Sequence, residues 1–124
     1  MEAKVVNIKN DKNYDVYIGR ANKYLGLEGS KWGNPFVLQK ESDRFEVVKK
    51  YMEYIISDNN LLFSLKELEN VTLGCYCYPK LCHGNVLFAL LELNNNGTLM
   101  EFTVDYWMSD REQKEQLFKN LLKL

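Results

Sequence analysis

β-branched and apolar residues cluster over Ala3–Ile8 (AKVVNI) and again over Asp15–Gly19 (DVYIG), and both runs predict strands. Between them Asn10, Asp11 and Asn13 are residue types that suit a reversal of the chain. From Arg20 to Gln39 no period is sustained and glycine, proline and aromatic residues are interspersed, which predicts a long loop of about 20 residues, a length usually kept for function. Helical spacing then takes over. Phe45, Val48, Tyr51, Met52 and Ile55 form one apolar stripe, with Ser42 or Asp43 as the cap and Glu46 completing a capping-box pattern, in a helix that runs to about Ser57. Leu61, Leu62, Leu65 and Leu68 predict a second, short helix, and Val71–Tyr76 a strand. Cys82–Leu93 is apolar nearly all round after its first turn, as in a helix packed on a sheet, and the run Asn94–Gly97 breaks it. Thr98–Val104 reads as a further strand, and Ser109 or Asp110 caps a last helix through Leu122. The order predicts one α/β domain over residues 1–124, a small sheet flanked by helices in a Rossmann-like arrangement.

Composition narrows the function classes. Sixteen basic residues stand against seventeen acidic ones, a formal charge of -1, too balanced for a protein that neutralises many phosphates of a duplex. No apolar run reaches the roughly 18 residues needed to cross a bilayer, and the first ten residues lack the apolar stretch of a secretory leader, so a cytoplasmic protein without a membrane partner is expected. The 3 cysteines fall between Cys75 and Cys82, which fits a reducing compartment and a local cysteine site better than a secreted disulfide framework.

That local site is Leu73-Gly-Cys-Tyr-Cys-Tyr-Pro-Lys-Leu-Cys-His-Gly84. A strand ends near Cys77 and a helix begins near Cys82, so Cys82, His83 and Gly84 take the positively polarised helix end that attracts anions. Three readings stay open. The cysteines can be small buried residues that let strand and helix pack closely. Cys75, Cys77, Cys82 and His83 can bind zinc, although the spacing C-x-C-x4-C-H lacks the usual knuckle. Or the corner is a ligand site, in which backbone N–H groups and His83 contact a phosphate or carboxylate and Cys82 gains thiolate character. His83 is the 1 histidine of the chain, so any imidazole acid–base step must use it.

A second constellation is Tyr17-Ile-Gly-Arg20 followed by Ser30-Lys-Trp-Gly-Asn-Pro-Phe36. Arg20 directly after a strand lies where α/β folds bind ligands, and its guanidinium matches phosphate geometry. Lys31 adds a point charge and Trp32 a flat apolar face, the pair needed to hold a phosphate and a ring. The bland alternative has Trp32, Pro35 and Phe36 plugging the core beneath the loop.

Taken together, these stretches, with Arg44 and Tyr51 on the first helix, resemble the family known as domain of unknown function 4326, met in bacteria and especially in their phages. The likeness spans about Tyr14 to Glu92 and leaves the strand and helix over 98–124 as an extension. Tyr76 stands where the family usually has Trp between its first two cysteines. The Cys-His corner is also similar in local pattern to domain of unknown function 488. The resemblance implies that Arg20, Lys31, Trp32, Asn34, Arg44, Cys77, Cys82 and His83 surround one shared site.

The expected function is binding of a phosphate-bearing small molecule, a nucleotide or nucleotide-derived signal, without metal or cofactor. A phage version would sequester a host immune signal. The rival is an enzyme acting on a nucleoside, nucleotide or glycosidic bond through Cys82 or His83, and a third class is a zinc-stabilised interaction module. The apolar face Leu117, Phe118, Leu121 and Leu122 of the last helix must be covered, either by this chain or by a second copy in a homodimer formed with the strand 98–104.

Overall fold

The computed structural model describes residues 4–21, 24, 26–76 and 80–124. Its order is β1 (Lys4–Asn7), β2 (Val16–Tyr17), α1 (Arg44–Ile56), α2 (Asn59–Ser64), β3 (Thr72–Cys75), α3 (His83–Asn95), α4 (Leu99–Met108) and α5 (Arg111–Leu122). Single 3-10 turns at Glu41–Asp43 and Leu65–Leu68 lead into α1 and out of α2. The fold is mixed α/β, with three parallel strands in the order β1-β3-β2.

Leu73 of β3 pairs with Val5 on one side and Val16 on the other, so the first two strands flank the third. The polar run after β1 is therefore not the turn of a hairpin. It does bend, with Asn10 and Asp11 N–H groups on the Asn7 carbonyl at 3.0 Å, but it then crosses back over the sheet to start β2 in the same direction. Crossovers between parallel strands usually need a helix. This one stays short because Gly74, beneath it, has no side chain: a Cβ there would lie 2.7 Å from both Ile8 Cγ2 and the Tyr14 ring. Alternation then gives the opposite face to Leu73 and Cys75, both buried.

That face meets the helices. Val48, Tyr51, Met52, Ile55 and Ile56 of α1 and Val86, Leu87, Leu90 and Leu91 of α3 form the centre of the core, closed by Leu61, Leu65 and Leu68. Asp58 caps α2 as an acceptor from Asn60 and Leu61 N–H at 2.9 and 3.1 Å. The expected capping box at the start of α1 is absent: the 3-10 turn leaves Asp43 in helical backbone geometry, from which its side chain makes no capping hydrogen bond.

Residues 98–104, expected as a strand, are the cap and first turns of α4. Seven residues with two threonines and a valine satisfy strand propensity, but the apolar spacing continues past them at helical period. Leu99, Phe102 and Tyr106 face the core, with Tyr106 fully buried and its hydroxyl donating to Glu53 at 2.7 Å. The extension is thus two helices. Asp110 and Gln113 cap α5 reciprocally, at 2.8 and 3.1 Å. The apolar face of α5 is covered by this chain: Phe118 is fully buried edge-on to Phe45 at 5.2 Å, and Leu117, Leu121 and Leu122 pack against the same core.

Because Phe118 fills the core from the extension, Phe118→Ala should destabilise the whole domain by about 3–5 kcal/mol. Urea unfolding checks this: one cooperative transition at a lower midpoint is expected, and an unchanged midpoint would mean that α5 is not part of the core.

Candidate functional site

The ends of β2 and β3, the start of α3 and the exit of the 30–36 loop enclose a cavity of about 310 Å³. Its polar lining includes Arg20, Asn34, Arg44, Cys82 and His83, and its sides are Tyr17, Phe36, Val37, Leu38, Val47 and Tyr76.

The Tyr17-Ile-Gly-Arg20 stretch builds one wall, each residue with a distinct task. Ile18 sends its side chain into the core and its carbonyl to His83 Nε2 at 2.6 Å. The Tyr17 ring folds over Gly19, where a Cβ would stand 2.3 Å from the phenol oxygen, and its hydroxyl donates to the Arg20 carbonyl at 2.7 Å. Arg20 then reaches across the loop, Nε donating to the Asn34 carbonyl and Nη2 to the Phe36 carbonyl, each at 2.8 Å. A planar fork suits two successive acceptors in a way a lysine does not. Nη1 makes no hydrogen bond with the described residues.

The loop is shaped by its own polar side chains. Ser30 Oγ accepts from Trp32 N–H at 3.0 Å, and Asn34 Oδ1 accepts from Phe36 N–H at 2.9 Å, two local turns on either side of Gly33. Trp32 points away from the cavity into the core, and the buried Tyr51 hydroxyl donates to its carbonyl at 2.6 Å. Lys31 is also elsewhere, ion-paired to Glu67 and lying over the Trp32 ring at 5.4 Å. The two residues expected to hold a phosphate and a ring therefore anchor the loop.

Arg44 lines the cavity with its charge engaged. It is bidentate to Glu41 at 2.7 and 2.9 Å and donates through Nη1 to the Leu81 carbonyl at 2.9 Å, which ties the start of α1 to the turn before α3. This pairing holds the exposed Glu41 carboxyl down at about 2. At the corner, Asn85 Oδ1 accepts from Cys82 N–H at 2.9 Å and opens α3. The Cys82 sulfur lies 3.4 Å from that of Cys75, both buried. Cys77 lies outside the described residues, among which no three His, Cys, Asp or Glu side chains gather as a metal set.

His83 is 9% exposed, edge-on to Tyr51 at 5.0 Å. Burial pushes its pKa below the ordinary 6.5, against the raising effect of the Ile18 carbonyl, and the Arg20 guanidinium pushes it further down. The ring is neutral at pH 7, with the proton on Nε2 facing Ile18. Among the described residues no buried side-chain nitrogen or oxygen lacks a partner, and Nδ1 has none, so Nδ1 reaches solvent through the cavity that His83 lines.

Sequence reasoning therefore located five of the lining residues and missed the apolar sides. Tyr17 and Tyr76 lie inside the motifs, but their edge-to-face contact at 6.3 Å follows from the strand order, which sets the ends of β2 and β3 side by side. Val47 gave no signal, being one of two adjacent valines of which Val48 faces the core.

Fold and site define a class: a small α/β domain whose strand ends and helix start converge on a single cavity built by two short motifs. A family model described as "Domain of unknown function (DUF4326)" matches residues 4–93, and the chain belongs to that family. It is also similar to an uncharacterized protein of Acanthamoeba polyphaga mimivirus, 40% identical over 97 residues, which cover 68% of this chain and 74% of that protein. No solved structure matches. The family match ends where α3 ends, so α4 and α5 lie beyond it.

Two acid-dependent losses of stability follow from the charges at this site. A carboxylate held low in the folded state stabilises above its ordinary pKa and ceases to as pH falls through the folded one, so the Glu41–Arg44 contribution should fade between pH 4.5 and about 2. His83 is held low as a base, so the folded state loses stability as pH falls below 6.5. Unfolding midpoints against pH check both: Arg44→Gln should flatten the lower limb and leave the upper one, and an unaltered lower limb would refute the assignment.

Proposed function

We propose that this protein binds a phosphate-bearing small molecule, a mononucleotide or a nucleotide derivative of similar size. The observation that carries this reading is the cavity itself: about 310 Å³, with apolar and aromatic sides and a few convergent polar groups, the usual make-up of a small-molecule site at the low end of the size range. Phe36, Val37 and Val47 offer a slot for a ring, and the exposed Arg20 offers Nη1 to an anion at the mouth. Arg44, spent on Glu41 and Leu81, shapes the wall in place of holding the ligand. We read the fold as Rossmann-like in the sense that the ligand lies beyond the carboxyl ends of parallel strands. In a viral version of this reading the ligand is a host nucleotide signal, sequestered in the cytoplasm of an infected cell.

The accessible imidazole nitrogen favours one alternative, an enzyme acting on a nucleoside or glycosidic bond with His83 as general base. Heat-denaturing the protein after incubation separates the two, since a binder returns its ligand intact and an enzyme returns product.

A screen by thermal shift and calorimetry against mono-, di- and cyclic nucleotides and ADP-ribose tests the binding reading. A true ligand at about 100 times its Kd should stabilise by about 2.7 kcal/mol, a rise of several degrees. Its matched nucleoside should bind at least tenfold more weakly, and Arg20→Gln should narrow that gap. No shift with any probe on folded protein would overturn the proposal.

A homodimer is proposed through α4, whose Met100, Val104, Trp107 and Met108 recur at helical spacing and are exposed. Light scattering on the intact chain should give twice the chain mass, and Val104→Glu should give a folded monomer. A monomeric intact chain at micromolar concentration would rule the dimer out.

A further inference from the structure

The cavity is lined by polar groups of opposite chemistry, and the buried one is an acceptor. His83 is nine-tenths buried, its Nε2–H is committed to the Ile18 carbonyl at 2.6 Å, and Nδ1, with no partner among the described residues, opens on the cavity. The ring cannot turn over without leaving that buried carbonyl unpaired. At rest it carries no second proton either. It is buried, Arg20 is a neighbouring cation, and it opens a thirteen-residue helix whose positive end disfavours a cation. What faces the ligand is a fixed lone pair.

A lone pair repels the oxygens of a phosphate or carboxylate and is satisfied only by a donor. The exposed Arg20, by contrast, presents an N–H and a full positive charge. From this we infer that His83 Nδ1 is a specificity-determining acceptor for a hydroxyl of the ligand's sugar, so that a sugar phosphate enters with its hydroxyl at His83 and its anion at Arg20. This rests on the nucleotide reading for the class of ligand, but not for the acceptor. It also reverses the expectation that His83 contacts the phosphate. A hydroxyl fits such a site better than an ammonium, because it donates to the imidazole without bringing a positive charge beside Arg20 and the helix start.

The test uses the full chain and the fact that it contains 1 histidine, so that one imidazole signal pair appears in a long-range proton–nitrogen spectrum. Nδ1 should be unprotonated and Nε2 protonated at pH 7. A protonated Nδ1 would overturn the inference at once. Titration with ribose 5-phosphate, or with ribose alone at high concentration, should move the Nδ1 resonance, and inorganic phosphate should not. The decisive variant is His83→Gln, whose amide nitrogen replaces Nε2 as donor to Ile18 and leaves no acceptor at the Nδ1 position. It should keep the folded spectrum, lose about three- to tenfold in affinity for ribose 5-phosphate and lose none for inorganic phosphate. Equal losses for both probes would place the phosphate at His83 and refute the proposal. If a nucleotide binds without moving Nδ1, the acceptor role fails and the nucleotide reading stands. If no nucleotide binds but ribose moves Nδ1, the nucleotide reading fails and the acceptor stands; if nothing moves it, both fail.

Discussion

The hydrogen bond from His83 to the Ile18 carbonyl joins three parts of the molecule that the chain keeps far apart. Ile18 directly follows the second strand, His83 begins the third helix, and Tyr51 of the first helix packs edge-on to the imidazole. A strand-end carbonyl in a buried corner must find a donor, and no backbone N–H is offered there by a sheet that has already ended. The imidazole supplies one. In doing so it becomes neutral, fixed in tautomer and oriented, so the interaction that closes the fold also decides what the cavity floor can recognise.

The charged residues of the motifs follow a similar logic. Most of them are spent on backbone or on each other: Arg20 on two loop carbonyls, Arg44 on Glu41 and Leu81, Lys31 on Glu67. A long loop carries many backbone acceptors and little regular structure to satisfy them, and a guanidinium with five N–H groups meets several at once. The loop that frames the cavity is thereby held without a helix or strand of its own. Only the part of Arg20 not used for this purpose is left to face a ligand.

The cysteine corner is equally economical. Cys75 ends the central strand on its core face and Cys82 precedes the helix, so that two small soft side chains meet at 3.4 Å where bulkier ones would push helix and sheet apart. Their closeness sets the helix start against the strand ends where the cavity lies.

Much of this was determined by sequence alone. The α1 stripe, the apolar third helix, the Asp110 cap and the motifs around Arg20 and His83 depend on local spacing and residue type, which a linear reading captures. The strand order was not accessible, because whether β1 and β2 pair directly or flank β3 depends on Gly74 clearing a path for a crossover, a contact between residues about 60 apart. Residues 98–104 were misread for a related reason: strand and helix propensities differ by less than the packing of Leu99, Phe102 and Tyr106 contributes, and that packing exists only once α1 and α3 are in place. The division among the motif residues was also a tertiary decision. Arg20, Trp32, Arg44 and His83 all read as ligand contacts, yet partners distant in sequence turned Trp32 inward, occupied Arg44 and left His83 one open nitrogen, since a side chain's role is set by which of its groups the fold leaves unsatisfied.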